Sequence, residues 1–284
     1  MSQASGPTPD PLAPRSAPAR LLHAVGAPVL ELLTHVGDMV GLLLDTLTVV
    51  LKALGKERTR LGWSAAVSQL IRVGLRSIGI VSLVSGCIGF ILAFQLSPPL
   101  DEFGQKELVA NIVSVAVLRE LGPLIAAIVL TGFAGASIAA EIGTMVVSEE
   151  VEALEAMALS PVRFLVVPRV IASVLAMLVL AVLADLVAIG MSAIVSITIL
   201  DIPWATYKQN TLDQAKLVDF LTGVGKGGVF GLLIGLIACG NGLKVVGGAA
   251  GVGKATTGTV VQSVVAVILA DLVFTAIFYA LKLV

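Results

Sequence analysis

Five long stretches of this 284-residue chain are apolar almost without interruption, near 77–97, 119–146, 165–199, 224–243 and 259–281. Each supplies the ~20 residues that an α-helix needs to cross a ~30 Å hydrocarbon core. The third exceeds one crossing, which predicts a tilted, kinked or protruding helix, and Pro168 near its start suits a first helical turn. Ahead of these stretches apolar residues recur at helical spacing (Val29, Leu32, Leu33, Val36, Val40, Leu43, Leu44, Leu47, Val50), interrupted by Glu31, His35, Asp38 and Asp45. Spanning would bury several ionisable groups, whereas an amphipathic helix lying in the interface satisfies both faces. The pattern predicts an all-α integral membrane protein with an N-terminal amphipathic interfacial helix, five transmembrane helices, and one short acidic helix between the second and third.

Composition changes this picture little but excludes its rivals. Charged residues make up 13% of the chain, against roughly 25% in soluble domains, too few to solvate a water-soluble globule. A net charge of −1 gives no basic footprint for nucleic acid. Cys87 and Cys239 both sit in apolar runs, so neither a disulfide framework nor a zinc cluster is expected. Residues 1–20 hold Pro7, Pro9, Pro11, Pro14 and Pro18 and read as a flexible extended tail; no apolar core follows Arg15 and Arg20, so no signal peptide is expected.

Positive charge fixes an orientation. With the N-terminus inside, the cytoplasmic segments hold Arg15, Arg20, Lys52, Lys56, Arg58, Arg60, Arg72, Arg76, Arg163, Arg169, Lys244 and Lys254. The other side holds Lys106, Arg119, Lys208, Lys216, Lys226 and Lys282, half as many.

Several constellations bear on function. Gly227, Gly231 and Gly235 form a small-residue stripe in the fourth span, and Gly132, Ala136 and Ala140 form one in the second, for helix packing within the chain or between copies. The stretch Gly248–Lys254 nearly matches a phosphate-binding loop, but Ala255 replaces the required hydroxyl and no strand precedes it, so a tight cytoplasmic turn is predicted. Ser148–Ala158 reads as a short helix with Ser148 as N-cap and Glu149, Glu150 and Glu152 at its positive dipole end. Val151, Leu154, Met157 and Ala158 form its apolar stripe. Such a helix suits docking into a groove with basic residues on a soluble partner; a solvated connector is the alternative.

Arg119 and Glu120, in the run LRELGP, stand at the mouth of the second span and should pair with each other, with backbone, or with a polar head group. Glu141, Asp185 and Asp271 also lie in or near apolar runs; together with Glu120 they could form an ion relay, or serve only as structural hydrogen-bonding groups. Glu31, His35 and Asp38 share a face at i, i+4, i+7, a spacing open to a metal but also that of a plain solvated face. No catalytic or metal-ligand pattern exists elsewhere, and no cofactor of its own is expected.

Taken together, residues from about 60 to the C-terminus resemble the MlaE/YrbE permeases, the membrane subunits of MCE-type lipid ABC transporters. The most specific stretch is VLRELGPLIAAIVLTGFAGASIAAEIGTMVVSEEVEALEAMALSPVRFLVVPRV, residues 117–170, followed by GVGKATTGTVV, residues 251–261. The chain then divides into a tail (1–20), an interfacial helix with a basic flank (21–60) and the permease domain that carries the resemblance (61–284). It implies a bacterial inner-membrane subunit without catalytic residues, paired with a second copy or a close paralogue. Two ATPase subunits would bind ATP and grip a coupling helix at 148–158 through Glu149, Glu150, Val151, Glu152, Leu154, Glu155 and Met157. An MCE-domain protein on the outer side would exchange phospholipid with a path marked by Arg119, Glu120 and Leu121, and by Leu92, Leu100 and Phe103 from rough position. Two departures stand out: Phe133 and Val146 occupy places where the family commonly carries an arginine and a basic or polar residue. An ion-coupled secondary transporter using the intramembrane carboxylates is the alternative, although no internal repeat is visible.

Overall fold

In the computed structural model, which describes residues 17–54 and 63–282, every regular element among those residues is a helix. α1 (Ala17–Leu54) comes first. α2 (Ser64–Glu102), α3 (Lys106–Val147), α5 (Val162–Thr198), α7 (Leu217–Leu243) and α8 (Gly248–Ala280) are five helices long and apolar enough to cross a membrane. Between them lie the short acidic α4 (Glu150–Ala156) and the polar α6 (Trp204–Gln214). The proline-rich segment to residue 16, and the side chains of Glu31 and His35, lie outside the described residues.

The observed helices overrun the predicted spans, most of all α2, α3, α7 and α8 at their first residues. Pro98 and Pro99 do not end α2. A proline deprives the carbonyl four residues back of its donor; here those carbonyls belong to Phe94 and Gln95, both on the exposed face of the helix. α3 begins at Lys106 because its first turns pack on α6 and on the ends of α2 and α5. That packing makes a second apolar core from Ala93, Val109, Val113, Val117, Ala188, Val195, Leu200, Ile202 and Tyr207. The Tyr207 hydroxyl lies 3.2 Å from Ser192 Oγ, and burial pushes this phenol above its usual pKa. The main core lies between α2, α3, α5, α7 and α8, around Leu130, Ile138, Ile142, Met177, Leu180, Phe230 and Ile234.

Two local expectations are corrected. The stretch Gly248–Lys254 is not a loop but the opening turns of α8; the turn itself is Lys244–Gly247, with Gly247 (φ 88°) and Gly248 (φ 67°) supplying the left-handed backbone. Ser148 does not cap α4. Because α3 runs on to Val147, the Ser148 hydroxyl bonds back to the Thr144 carbonyl at 3.0 Å, and Glu149 (φ 61°) takes the capping position.

Small residues set the helix spacing. A Cβ on Gly231 would sit 2.6 Å from the Ser173 carbonyl oxygen, one on Gly227 would sit 3.2 Å from Ala181 Cβ, and one on Gly235 would sit 3.2 Å from Val170 Cα, so this stripe packs α7 on α5 within the chain. Gly132 differs: it is exposed and meets nothing, while Gly135, three residues on, faces Ile234 and Thr259. The packing face of α3 therefore lies to one side of the expected stripe, because a π-helical turn at Thr131–Gly135 rotates the later residues relative to ideal α spacing.

Candidate functional site

Charged side chains of the spans collect in two layers. Glu120 and Glu141 lie 21 residues apart on α3, which at 1.5 Å rise per residue separates them by about 30 Å, the thickness of a hydrocarbon core. One layer lies toward the α6 end of the bundle and the other toward the α4 end.

At the α6 end, Arg119 and Glu120 sit in a π-helical turn of α3, Val117–Leu121. The extra residue in such a turn aims neighbouring side chains along different directions, and the two do not pair with each other. Arg119 Nε donates to Asp219 Oδ1 at 2.7 Å, and Asp219 Oδ2 accepts the Lys216 backbone N–H at 3.1 Å at the start of α7. Lys226 Nζ donates to Glu120 Oε2 at 2.7 Å, to Asp271 Oδ1 at 3.0 Å and to Thr275 Oγ1 at 3.2 Å. Lys226 is 2% exposed. Burial of its ammonium is tolerable only because three acceptors replace water. The network ties α3, α7 and α8 together with two cations and three carboxylates.

The site opens on one side. An apolar groove of about 410 Å³ is lined by Val218, Leu221, Thr222, Gly225, Phe274 and Phe278, with Lys226 at its base and the Phe278 ring 5.7 Å from Nζ. With the ammonium taken up by its three acceptors, the surface that the groove presents is apolar.

The other residues expected on a substrate path lie elsewhere. Leu92 and Leu100 pack against the second core, Phe103 is 78% exposed at the turn after α2, and Leu121 is half-buried beside the network. The four carboxylates considered for a relay occupy three separate places: Glu120 and Asp271 share Lys226, Glu141 is in the opposite layer, and Asp185 is buried against Gly122, neither of its oxygens finding a hydrogen-bond partner. Sequence reasoning missed Lys226 and Asp219 as the partners of the LRELGP pair. The signal was a lone lysine within a glycine-rich apolar run, VGKGG, where a charge needs a buried counter-charge.

At the α4 end, Arg72 Nη1 and Arg169 Nη2 reach Glu141 at 2.6 and 3.2 Å, and Asp38 of α1 pairs with Lys244. α4 projects here with Glu149, Glu150, Glu152, Glu155 and Met157 exposed, while Val151 and Leu154 are half-buried.

Five helices long and apolar enough to cross a membrane, joined to one another by ion pairs, define a multi-pass membrane protein. The sequence model of the family described as Permease MlaE matches residues 66–277. The chain is 32% identical to a probable ABC transporter permease protein of Rickettsia bellii, over 91% of this chain and 98% of that protein. It is 33% identical to the chloroplastic protein TRIGALACTOSYLDIACYLGLYCEROL 1 of Arabidopsis thaliana (81% and 65%), and 33% identical to a probable ABC transporter permease protein of Synechocystis (72% and 78%). The chain belongs to the MlaE permease family, and is a permease subunit of an ABC transporter.

Proposed function

We propose that this chain moves phospholipid, or a closely related lipid, across or out of a bacterial inner membrane as the membrane half of an ATP-driven complex. A partner ATPase, present in two copies, binds the nucleotide. A second permease copy or a paralogue completes the membrane core, and an MCE-domain protein exchanges lipid at the α6 end.

The observation that carries the reading is α4, a short acidic helix projecting from the bundle and joined by short connections to α3 at one end and α5 at the other. A shift imposed on it reaches two spans directly. Arg72, Arg76, Arg163, Arg169, Lys244 and Lys254 gather at the same end, which supports a cytoplasmic α4 and an N-terminus on that side. The groove beside Lys226, and the glycerolipid in the name of the Arabidopsis relative, support a lipid as cargo. The outward face of α8 (Val261, Val265, Ile268, Leu269, Leu272, Val273) is apolar and exposed, as a second copy or lipid requires. Scattering of the carboxylates over three places disfavours an ion relay.

Purification in mild detergent, with mass spectrometry of the associated proteins and lipids, tests the reading: an ATP-binding subunit and phospholipid should accompany the wild-type chain. Replacing Leu154 and Glu155 together with Ala and Arg should reduce the recovered ATPase by about tenfold, the loss of one good contact of ~1.4 kcal/mol. Undiminished ATPase association and transport in that variant would remove the coupling role of α4.

A further inference from the structure

We propose that Glu141 is a positioning residue of the transport cycle: it clasps the base of the α3–α4–α5 hairpin, so that a displacement of α4 moves α3, α5 and α2 as one body. The proposal rests on the reading of α4 as the helix that an ATPase moves.

The chain from residue 148 to 161 carries α4 and its two connections, and nothing within that stretch obliges the flanking spans to travel together. Just above it, Glu141 of α3 meets Arg169 of α5, with Nε at 3.3 Å and Nη2 at 3.2 Å from Oε2. Arg169 is itself pinned, since its Nη1 donates to the Leu165 carbonyl of its own helix at 2.9 Å and the residue is 6% exposed. The same carboxylate also receives α2, through Arg72 Nη1 at 2.6 Å from the other oxygen, Oε1, and through Gln69 Nε2 at 3.2 Å from the shared Oε2. One carboxylate thus accepts donors from two other helices.

The legs differ in strength. Arg72 is half-exposed, so water screens its attraction, whereas the Arg169 leg is desolvated on the arginine side. The α3–α5 tie therefore dominates, and α2 follows through the buried Gln69 and the screened Arg72. Two of the three helices carry a π-helical turn at this level, Ile71–Leu75 in α2 and Val162–Val166 in α5. Each such turn interrupts the regular α-helical hydrogen-bond ladder, and it is there that an unclasped hairpin would lose motion instead of delivering it to the spans.

Two measurements decide the matter. In the purified permease with both native cysteines replaced, nitroxide labels at positions 147 and 164 report the gap between the end of α3 and the start of α5. Wild type should give one distance population, and Glu141→Ala a second, longer one; Glu141→Gln, which keeps an acceptor but loses the charge, should fall between them. An unchanged distribution in Glu141→Ala overturns the clasp. In the complex reconstituted with its ATPase, lipid moved per ATP hydrolysed should fall about tenfold in Glu141→Ala, with the ATPase still bound. Lys244→Ala, which removes the exposed Asp38–Lys244 pair at the same end, should leave that ratio unchanged. A wider gap with an unchanged ratio overturns the role in transmission. Failure of the wild-type chain to bind any ATPase overturns the reading of α4 instead, and the label distances still judge the clasp.

Discussion

Lys226→Met should destabilise the detergent-solubilised protein by about 3–5 kcal/mol, the usual cost of removing one partner from a buried ionic group, and should abolish transport. Methionine fills nearly the same volume, so the loss is electrostatic rather than a cavity. Glu120 and Asp271 both approach Lys226 Nζ within 3.0 Å; without the ammonium, two carboxylates from α3 and α8 face each other with no counter-charge between them. Their mutual repulsion drives α3 and α8 apart. The triple variant Lys226→Met, Glu120→Gln, Asp271→Asn removes all three charges and should recover most of the melting temperature while transport stays absent. Thermal unfolding followed by fluorescence-detected size exclusion measures the first effect, and lipid transfer in proteoliposomes the second. A single variant as stable as wild type would show that the network contributes nothing to the fold.

Gly223→Ala is the second large effect. The added Cβ would lie 1.9 Å from the Leu118 carbonyl oxygen, backbone meeting backbone, so no side-chain rotation relieves the clash. α7 must back away from α3 at the level where Arg119 bonds Asp219 and Lys226 bonds Glu120. Overpacking of this kind costs about 1–3 kcal/mol, and the lost ion pairs add to it. Gly225 supplies the control: two residues along the same helix, it is exposed and a Cβ there meets nothing within 4 Å. Gly225→Ala should leave the melting temperature within the scatter of wild type and should even favour the helix slightly. Equal losses at both positions would mean that helix propensity, not close approach, governs α7.

The hydrophobic pattern revealed the helices but not their ends. Apolar runs mark where lipid or core surrounds a helix, whereas α3 begins ahead of its predicted span because Val109, Val113 and Val117 find α6 and the end of α5. That partner is distant in sequence and leaves no local trace. The charges behaved similarly. Arg119 and Glu120 were legible as charges in need of partners because each was costly where it stood, yet those partners lie 100 and 106 residues away, and no spacing rule links them. The glycine stripe on α7 was legible as a packing face because α7 is regular α-helix throughout. The stripe at Gly132 was not, because the π-helical turn at Thr131–Gly135 breaks the 3.6-residue period on which such a reading depends. Ser148 misled for a simpler reason: a serine between two helices can serve the end of the first as well as the start of the second, and here it serves the first.

The two charged layers also act as a ruler. Their spacing of about 30 Å along α3 matches the mean hydrocarbon thickness of a bilayer, and each layer is fixed by bonds between helices rather than by flexible side chains free to snorkel. In a membrane several ångströms thicker, one layer or the other must enter the acyl region, or the lipid must thin around the protein. Bilayer thickness is then an energetic variable of this permease in its own right: lipid chain length acts on the bundle from outside, through the same ion pairs that hold it together from within.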